Sequence, residues 1–168
     1  VAVRNGEKSL PNLIADLSSQ TYKGAMEFII VDDESGDLSS QLIKNISKKD
    51  NRFIYEVSAN GDSSLKFKKR ALDAGIMKAK NEWLLFTDVD CRVPPTWVEA
   101  MAIYFNDAND YVIGFSNIES GNNLLNIFQS IDYFLLLVAA RGAANLNHAW
   151  ACSGQNQAYR KSLFNKVD

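Results

Sequence analysis

Trp83-Leu84-Leu85-Phe86-Thr87-Asp88-Val89-Asp90 decides how this chain is read, because an apolar run of strand length empties directly into two carboxylates. Four consecutive large apolar residues with a polar exit read as a buried strand. In an extended chain alternate side chains share a face, so Asp88 and Asp90 are expected to point the same way and to concentrate negative charge. Hard divalent cations such as Mn or Mg favour oxygen ligands of this kind. A second stretch repeats the pattern: Phe28-Ile29-Ile30-Val31 runs into Asp32-Asp33-Glu34-Ser35. Open α/β sheets take ligands beyond the carboxyl ends of their strands, so the two acidic exits are expected to face one crevice.

Outward from these strands, helical and extended patterns alternate, as in a sheet covered by helices. Leu10, Leu13, Ile14 and Leu17 predict a helix over 9–20, with Ser9 as N-cap and Pro11 tolerated in its first turn. Strands are predicted over 27–31, 52–57 and 111–115. Leu38, Leu42, Ile43 and Ile46 mark another helix, and 67–79 and 96–105 two more, the last after the break at Pro94-Pro95. Residues 124–144 are apolar nearly all round and contain no proline, which predicts a long helix that is buried or covered by a partner.

Composition sets broad limits. A chain of 168 residues suits one domain, and 46% hydrophobic residues can fill a sizeable core. A net charge of -2, with basic residues scattered except for Lys66, Lys68, Lys69 and Arg70, carries no nucleic-acid signature. Two cysteines, Cys91 and Cys152, lack metal-ligand spacing, and a reduced cytoplasmic setting is the simpler reading, with a disulfide between them left open. The longest uninterrupted apolar stretch, residues 133–140, is short of the roughly 20 residues of a membrane span. Val1-Ala2-Val3 reads as the end of a buried strand whose beginning is absent, and the last residues as an unfinished helix. The expectation is a piece of a longer protein.

Five motifs in order resemble the family 2 glycosyltransferases of GT-A fold, and the resemblance covers essentially the whole chain. They are Val3-Arg4-Asn5-Gly6-Glu7, Val31-Asp32-Asp33-Glu34-Ser35-Gly36-Asp37, Lys68-Lys69-Arg70-Ala71-Leu72-Asp73-Ala74-Gly75-Ile76, Thr87-Asp88-Val89-Asp90-Cys91, and Cys152-Ser153-Gly154-Gln155-Asn156-Gln157-Ala158-Tyr159-Arg160-Lys161. The resemblance implies a mostly parallel α/β sheet with helices on both faces, forming one incomplete domain over 1–168. Residues 1–92 would be its donor-binding half and 93–168 the start of its acceptor half.

It further implies a metal-dependent, inverting transfer of a hexosyl group from a nucleoside diphosphate sugar, most often a UDP-sugar, to a hydroxyl acceptor. Ala2 and Arg4 would flank the nucleoside, and Asp33 would accept a hydrogen bond from the base, which suits a carboxylate facing an imide N–H. Lys68 would approach the nucleotide, Asp88 would lie near the ribose and the metal, and Asp90 would bind the Mn or Mg ion directly. On the acceptor side, taking a saccharide or lipid-linked acceptor, would stand Trp150, Gly154 and Asn156. The general base of similar enzymes belongs to a Glu-Asp pair expected beyond Asp168, so no residue here is assigned that role. Gly6, Phe67 and Gln155 depart from residues common in the family at those positions. The segments 128–144 and 151–164 look most like processive, membrane-associated members of polysaccharide synthesis, which implies a parent attached at the cytoplasmic face of the membrane.

Each site assignment has a plainer competitor. Asp32 and Asp33 also suit a turn closed with Ser35 and Gly36, and Asp88 and Asp90 suit a solvated turn. Trp83 and Trp97 fit the core, and Cys91 fits a packed thiol without activation. Two other function classes stay open: a nucleotidyltransferase, weakened by the lack of a glycine-rich phosphate loop near the N-terminus, and a noncatalytic module binding nucleotide sugars or carbohydrate.

Overall fold

The computed structural model describes residues 1–118, 123–146, 148, 153–164 and 166. Strands β1 (Ala2–Val3), β2 (Phe28–Asp32) and β3 (Phe53–Val57) form a parallel sheet in that order. Ala2 lies opposite Val31, and Ile30 opposite Tyr55. Parallel neighbours need crossovers, and α1 (Leu10–Ser18) and α2 (Ser39–Lys49) supply them. Apolar side chains at helical spacing bury α1 completely along one face through Leu10, Leu13 and Leu17, while α2 inserts Ile43. With Val3, Ile30 and Phe53 they make the core, where the Phe28 and Phe53 rings meet at 4.9 Å. Ser9 stands at the N-cap of α1, but its hydroxyl makes no capping bond. The turn is closed instead by its carbonyl, which accepts from Asn12 and Leu13.

Helix α3 (Lys68–Lys78) follows β3 after a 3-10 turn at Ser58–Asn60, and it packs Ala71 and Ala74 against Val31. Beyond it β4 (Trp83–Phe86), α4 (Trp97–Ala102), β5 (Tyr111–Ile113), α5 (Leu124–Asn145), β6 (Gln157–Arg160) and the short α6 (Lys161–Phe164) complete the described elements.

The expectation of a mostly parallel sheet holds for the first three strands and is corrected for the rest. β4, β6 and β5 form an antiparallel sheet with β6 in the middle. β6 had no sequence signature, because Gln157 and Arg160 hide an extended segment whose one buried residue, Ala158, faces Leu85 on one side and Val112 on the other. Tyr159 stacks on Phe86 at 4.7 Å and on Tyr111 at 5.8 Å, and burial pushes its phenol up to about 12. Between β2 and β4 lies an apolar cavity of about 290 Å3, lined in part by Ile29, Val31, Gly75, Leu84 and Leu85.

The long helix forms as expected, and of the two alternatives, buried or covered by a partner, this chain does not supply the first. Within this chain α5 buries only Leu137 and Ala140, while Leu124, Phe128, Ile131, Leu135 and Val138 are exposed. By length and composition it is apolar enough to cross a membrane, with a mean hydropathy of 1.3 over its most apolar window. Reading only the uninterrupted run at 133–140 missed this, because Asn126, Gln129 and Asp132 break the run without bringing the mean down far.

Candidate functional site

The carboxyl ends of β1 and β2 feed two loops that are stitched to each other. Asn5 N–H donates to Ser35 Oγ at 3.0 Å, and Gly36 N–H returns a bond to Asn5 Oδ1 at 2.8 Å. Gly6 N–H donates to the buried Ser39 Oγ at 2.8 Å. Glu7 N–H donates to Asp37 Oδ2 and Leu38 N–H to Glu7 Oε2, each at 3.0 Å. Desolvation pushes the Asp37 carboxyl up, but donors from Ser39 and Glu7 outweigh it and leave the group below its ordinary value. Asn5 and Glu34 adopt positive φ (53° and 56°), which turns the chain sharply off both strand ends.

Asp32 and Asp33 have separate fates. Asp32 closes the turn read as the plainer alternative, its Oδ1 accepting from Ser35 N–H at 3.2 Å. Asp33 is equally buried, at 8% exposure, and is tied by its backbone N–H to Val3 O at 2.8 Å. Among the described residues no hydrogen bond reaches the Asp33 carboxylate, which leaves its acceptor capacity for a ligand. Ala2 packs with Val31, Ala71 and Ala74, and Arg4 is exposed just past the end of β1.

The Asp88-Val89-Asp90 stretch reaches the same place by a route the sequence did not suggest. β4 ends at Phe86, and Cys91 N–H bonds back to Asp88 O at 3.2 Å, so Val89 and Asp90 lie in a turn. The argument that alternate side chains of an extended strand share a face therefore does not apply to Asp88 and Asp90. Their placement comes from two tertiary contacts. Lys68 Nζ, at the start of α3, donates to Asp88 Oδ1 at 2.6 Å. Val89 packs into the space above Gly6, where an added Cβ would meet its Cγ2 at 3.0 Å. The turn that carries Asp88 and Asp90 thus rests on the loop after β1, the strand whose end also receives the Asp33 N–H.

Cys91 behaves as a packed thiol: burial pushes its pKa up, and nearby Asp88 and Asp90 push in the same direction. The segment after Asp90 is anchored by residues that sequence reasoning passed over. Asp16 accepts two bonds from the Arg92 guanidinium, at 2.7 and 2.9 Å, and a third from Val93 N–H. Gln20, buried, donates to Pro94 O at 2.8 Å and accepts from Val98 N–H at 3.0 Å. The available signal was a pair of polar residues four apart beside the apolar stripe of α1, a spacing that aligns them on one face.

Of the residues that the resemblance assigns to the acceptor side, Trp150 lies outside the described residues. Gly154 is exposed, and a Cβ added there would meet nothing within 4 Å. Asn156 is engaged inside the protein: its Oδ1 accepts from Trp97 Nε1 at 3.0 Å and its Nδ2 donates to Phe115 O at 2.9 Å. Trp97 is accordingly core, as its plainer reading held. Gln155, the departure from the family pattern, donates to Tyr133 Oη at 2.6 Å and accepts from Cys91 Sγ at 3.6 Å, joining α5 to the loop that carries Asp90.

Chemically, the arrangement offers one buried free acceptor, one exposed carboxylate at Asp90, and one carboxylate at Asp88 shared with an ammonium. Among the described residues there is no group of three or more metal-ligating side chains. Two carboxylates suit a Mg or Mn ion that completes its shell with substrate phosphates and water, and that is the way Mg is commonly held in phosphate-handling sites. The apolar cavity between β2 and β4 is a separate feature, since its lining includes neither Asp88 nor Asp90.

The chain is similar in sequence and in fold to known glycosyltransferases. EpsH of Bacillus subtilis (strain 168), which carries the name glycosyltransferase, is 32% identical over 114 residues, taking in 67% of this chain and 31% of EpsH. A mannosyltransferase of Pyrobaculum calidifontis, solved in complex with GDP-Man and Mn2+, superimposes with a TM-score of 0.72 at 14% identity, covering 99% of this chain and 44% of that one. Glucosyl-3-phosphoglycerate synthase of Mycobacterium tuberculosis, solved with Mn2+, UDP and glucosyl-3-phosphoglycerate, gives 0.62 at 15% identity, covering 96% and 55%. These structures share the mixed α/β GT-A fold, and the chain spans only part of each relative. The profile of glycosyl transferase family 2 matches residues 1–168, the full length of the chain, and the chain belongs to that family.

Proposed function

We propose that the chain is the donor-binding part of a metal-dependent, inverting glycosyltransferase that moves a hexosyl group from a nucleoside diphosphate sugar to a hydroxyl of a saccharide or lipid-linked acceptor. The observation that carries this reading is that a buried Asp33, whose carboxylate has no hydrogen bond among the described residues, is tied to the end of β1, while the turn bearing the Lys68-paired Asp88 packs through Val89 on Gly6 just beyond that strand. Asp33 takes the imide N–H of the base, with Ala2 and Arg4 flanking the nucleoside. The donor's diphosphate lies toward Lys68 and the Asp88-Val89-Asp90 turn.

Magnitudes explain why the cation belongs there. Two like unit charges at 4 Å repel by about 4 kcal/mol at an effective dielectric of 20, and a diphosphate beside two carboxylates has several such pairs. Mn or Mg, when bound by Asp90 and Asp88, offsets that repulsion and supplies Lewis-acid stabilisation of the leaving diphosphate. Lys68 adds a positive charge on the same side. Gly154 and Trp150 are placed by the family resemblance toward the acceptor, and Asn156 contributes by holding β5 and α4 in position.

A uridine donor is favoured by the family resemblance and by the UDP-bound synthase, whereas the mannosyltransferase neighbour holds GDP-Man. Calorimetric titration with UDP and with GDP, each with and without Mn2+, decides between them. Binding that requires Mn2+, is lost in Asp90→Ala, and is weakened but still Mn2+-dependent in Asp33→Ala is expected. Unchanged affinity in both variants overturns the site assignment.

A further inference from the structure

The two carboxylates of the Asp88-Val89-Asp90 turn are not equivalent. Lys68 Nζ already sits 2.6 Å from Asp88 Oδ1, at the distance of a strong charge-assisted hydrogen bond. Asp90 is exposed and has no ion-pair partner among the described residues. With no third acidic ligand nearby among the described residues, a divalent ion arriving alone finds one free carboxylate, one engaged carboxylate and a fixed positive charge. That is a poor cation site.

Lys68 itself stands where a cation is disfavoured. It is the first residue of α3, whose first turn also carries Lys69 and Arg70 and has no acidic residue. The positive end of the helix dipole disfavours cations there, so three of them raise the demand for an anion. Asp88 meets that demand in the free protein. A diphosphate, with more charge and more oxygens, meets it better. Both side chains are partly solvated, Lys68 at 55% and Asp88 at 31% exposure, so the lysine can swing without opening the core.

We propose that Lys68 is a resident counter-cation that makes metal binding depend on the donor. In the free protein its ammonium occupies Asp88. When a nucleoside diphosphate enters, the phosphates draw the ammonium away, and Asp88 is released to the divalent ion together with Asp90 and the phosphate oxygens. Lys68 is therefore a positioning residue that couples the two ligands, and this inference rests on the donor-site reading above. Because coupling between sites is reciprocal, the same exchange makes nucleotide affinity depend on the ion.

The test compares the protein with Lys68→Met and Lys68→Arg, following free Mn2+ by electron paramagnetic resonance and UDP or GDP by calorimetry, with melting curves to confirm folding. The expected result is that Lys68→Met binds Mn2+ alone about two- to fivefold more tightly, the range set by a partly exposed ion pair, while binding nucleotide with Mn2+ more weakly. Lys68→Arg keeps the charge and should not gain affinity for Mn2+ alone. Unchanged or weaker binding of Mn2+ alone to Lys68→Met, in a protein that still shows Mn2+-dependent nucleotide binding, overturns the counter-cation role and leaves the donor site standing. Failure of the unaltered protein to bind either nucleotide with Mn2+ overturns both.

Discussion

Gly6 and Val89 touch so closely that a Cβ on Gly6 would lie 3.0 Å from Val89 Cγ2, and 2.9 Å from Cγ1 of Val3 beneath it. The missing side chain is what lets the acidic turn after β4 settle onto the loop after β1. Gly6→Ala should therefore cost about 1–3 kcal/mol, as overpacking against branched side chains does. It should also weaken Mn2+-dependent nucleotide binding by moving Asp88 and Asp90. Chemical denaturation and calorimetry on the same preparation check both effects. A variant as stable as the parent with unchanged affinity would show that the close approach carries no constraint.

Phe67 immediately precedes Lys68 at φ 54° and ψ -142°, a backbone region that suits glycine, and its ring is 73% exposed. Strain of this type costs on the order of 1–3 kcal/mol, whereas a glycine loses roughly 0.5–1 kcal/mol more backbone entropy on folding. Phe67→Gly is expected to stabilise the protein by about 1 kcal/mol, which raises Tm by roughly 2–4 °C in a chain of this size. A lowered Tm contradicts it.

Asn156 presents Oδ1 to the buried indole N–H of Trp97 and Nδ2 to Phe115 O. Asn156→Ala should destabilise by about 1–3 kcal/mol, because it strands the indole donor without an acceptor. Asn156→Asp keeps an acceptor for Trp97 and should fold better than the alanine variant at neutral pH. Urea midpoints give the ranking, and tryptophan emission reports whether Trp97 remains enclosed.

Acid should loosen the contact between α1 and the segment after Asp90. Hydrogen bonding from Arg92, opposed by burial and aided by Val93 N–H, holds the Asp16 carboxyl below its ordinary value, and Arg52 does the same for Asp50. A folded-state value below the unfolded one means that the unfolded chain binds more protons, so stability is present at neutral pH and lost as pH falls. The loss should begin below about pH 5 and continue through the lowered folded-state values. Asp16→Asn should be less stable at pH 7 and show a shallower decline on acidification. An identical slope in the variant would remove Asp16 from the account.

Much of the fold was legible because its cause is local. Leu10, Leu13 and Leu17 repeat at helical spacing and are all buried in α1, and the apolar run Phe28 to Val31 lies in β2, so periodicity and length were enough. The motifs pointed correctly to the family for a similar reason: short stretches at strand exits carry their chemistry in residue type and order. What escaped depended on partners distant in sequence. β6 is a strand because Ala158 fits between Leu85 and Val112, and no local pattern marks it. α5 is apolar whether it is covered or not, so its exposure is a property of its surroundings. Asp88 and Asp90 were identified as a pair from their spacing, but spacing on an extended strand was the wrong reason, since the chain turns after Asp88. Residue type decided that carboxylates would stand at the exit of β4. Only the tertiary structure decided that one would be held by Lys68, twenty residues earlier, and that the turn would rest on the bare backbone of Gly6. Ion pairing and close packing act through space, and a linear pattern does not encode which distant groups the folded chain brings within reach.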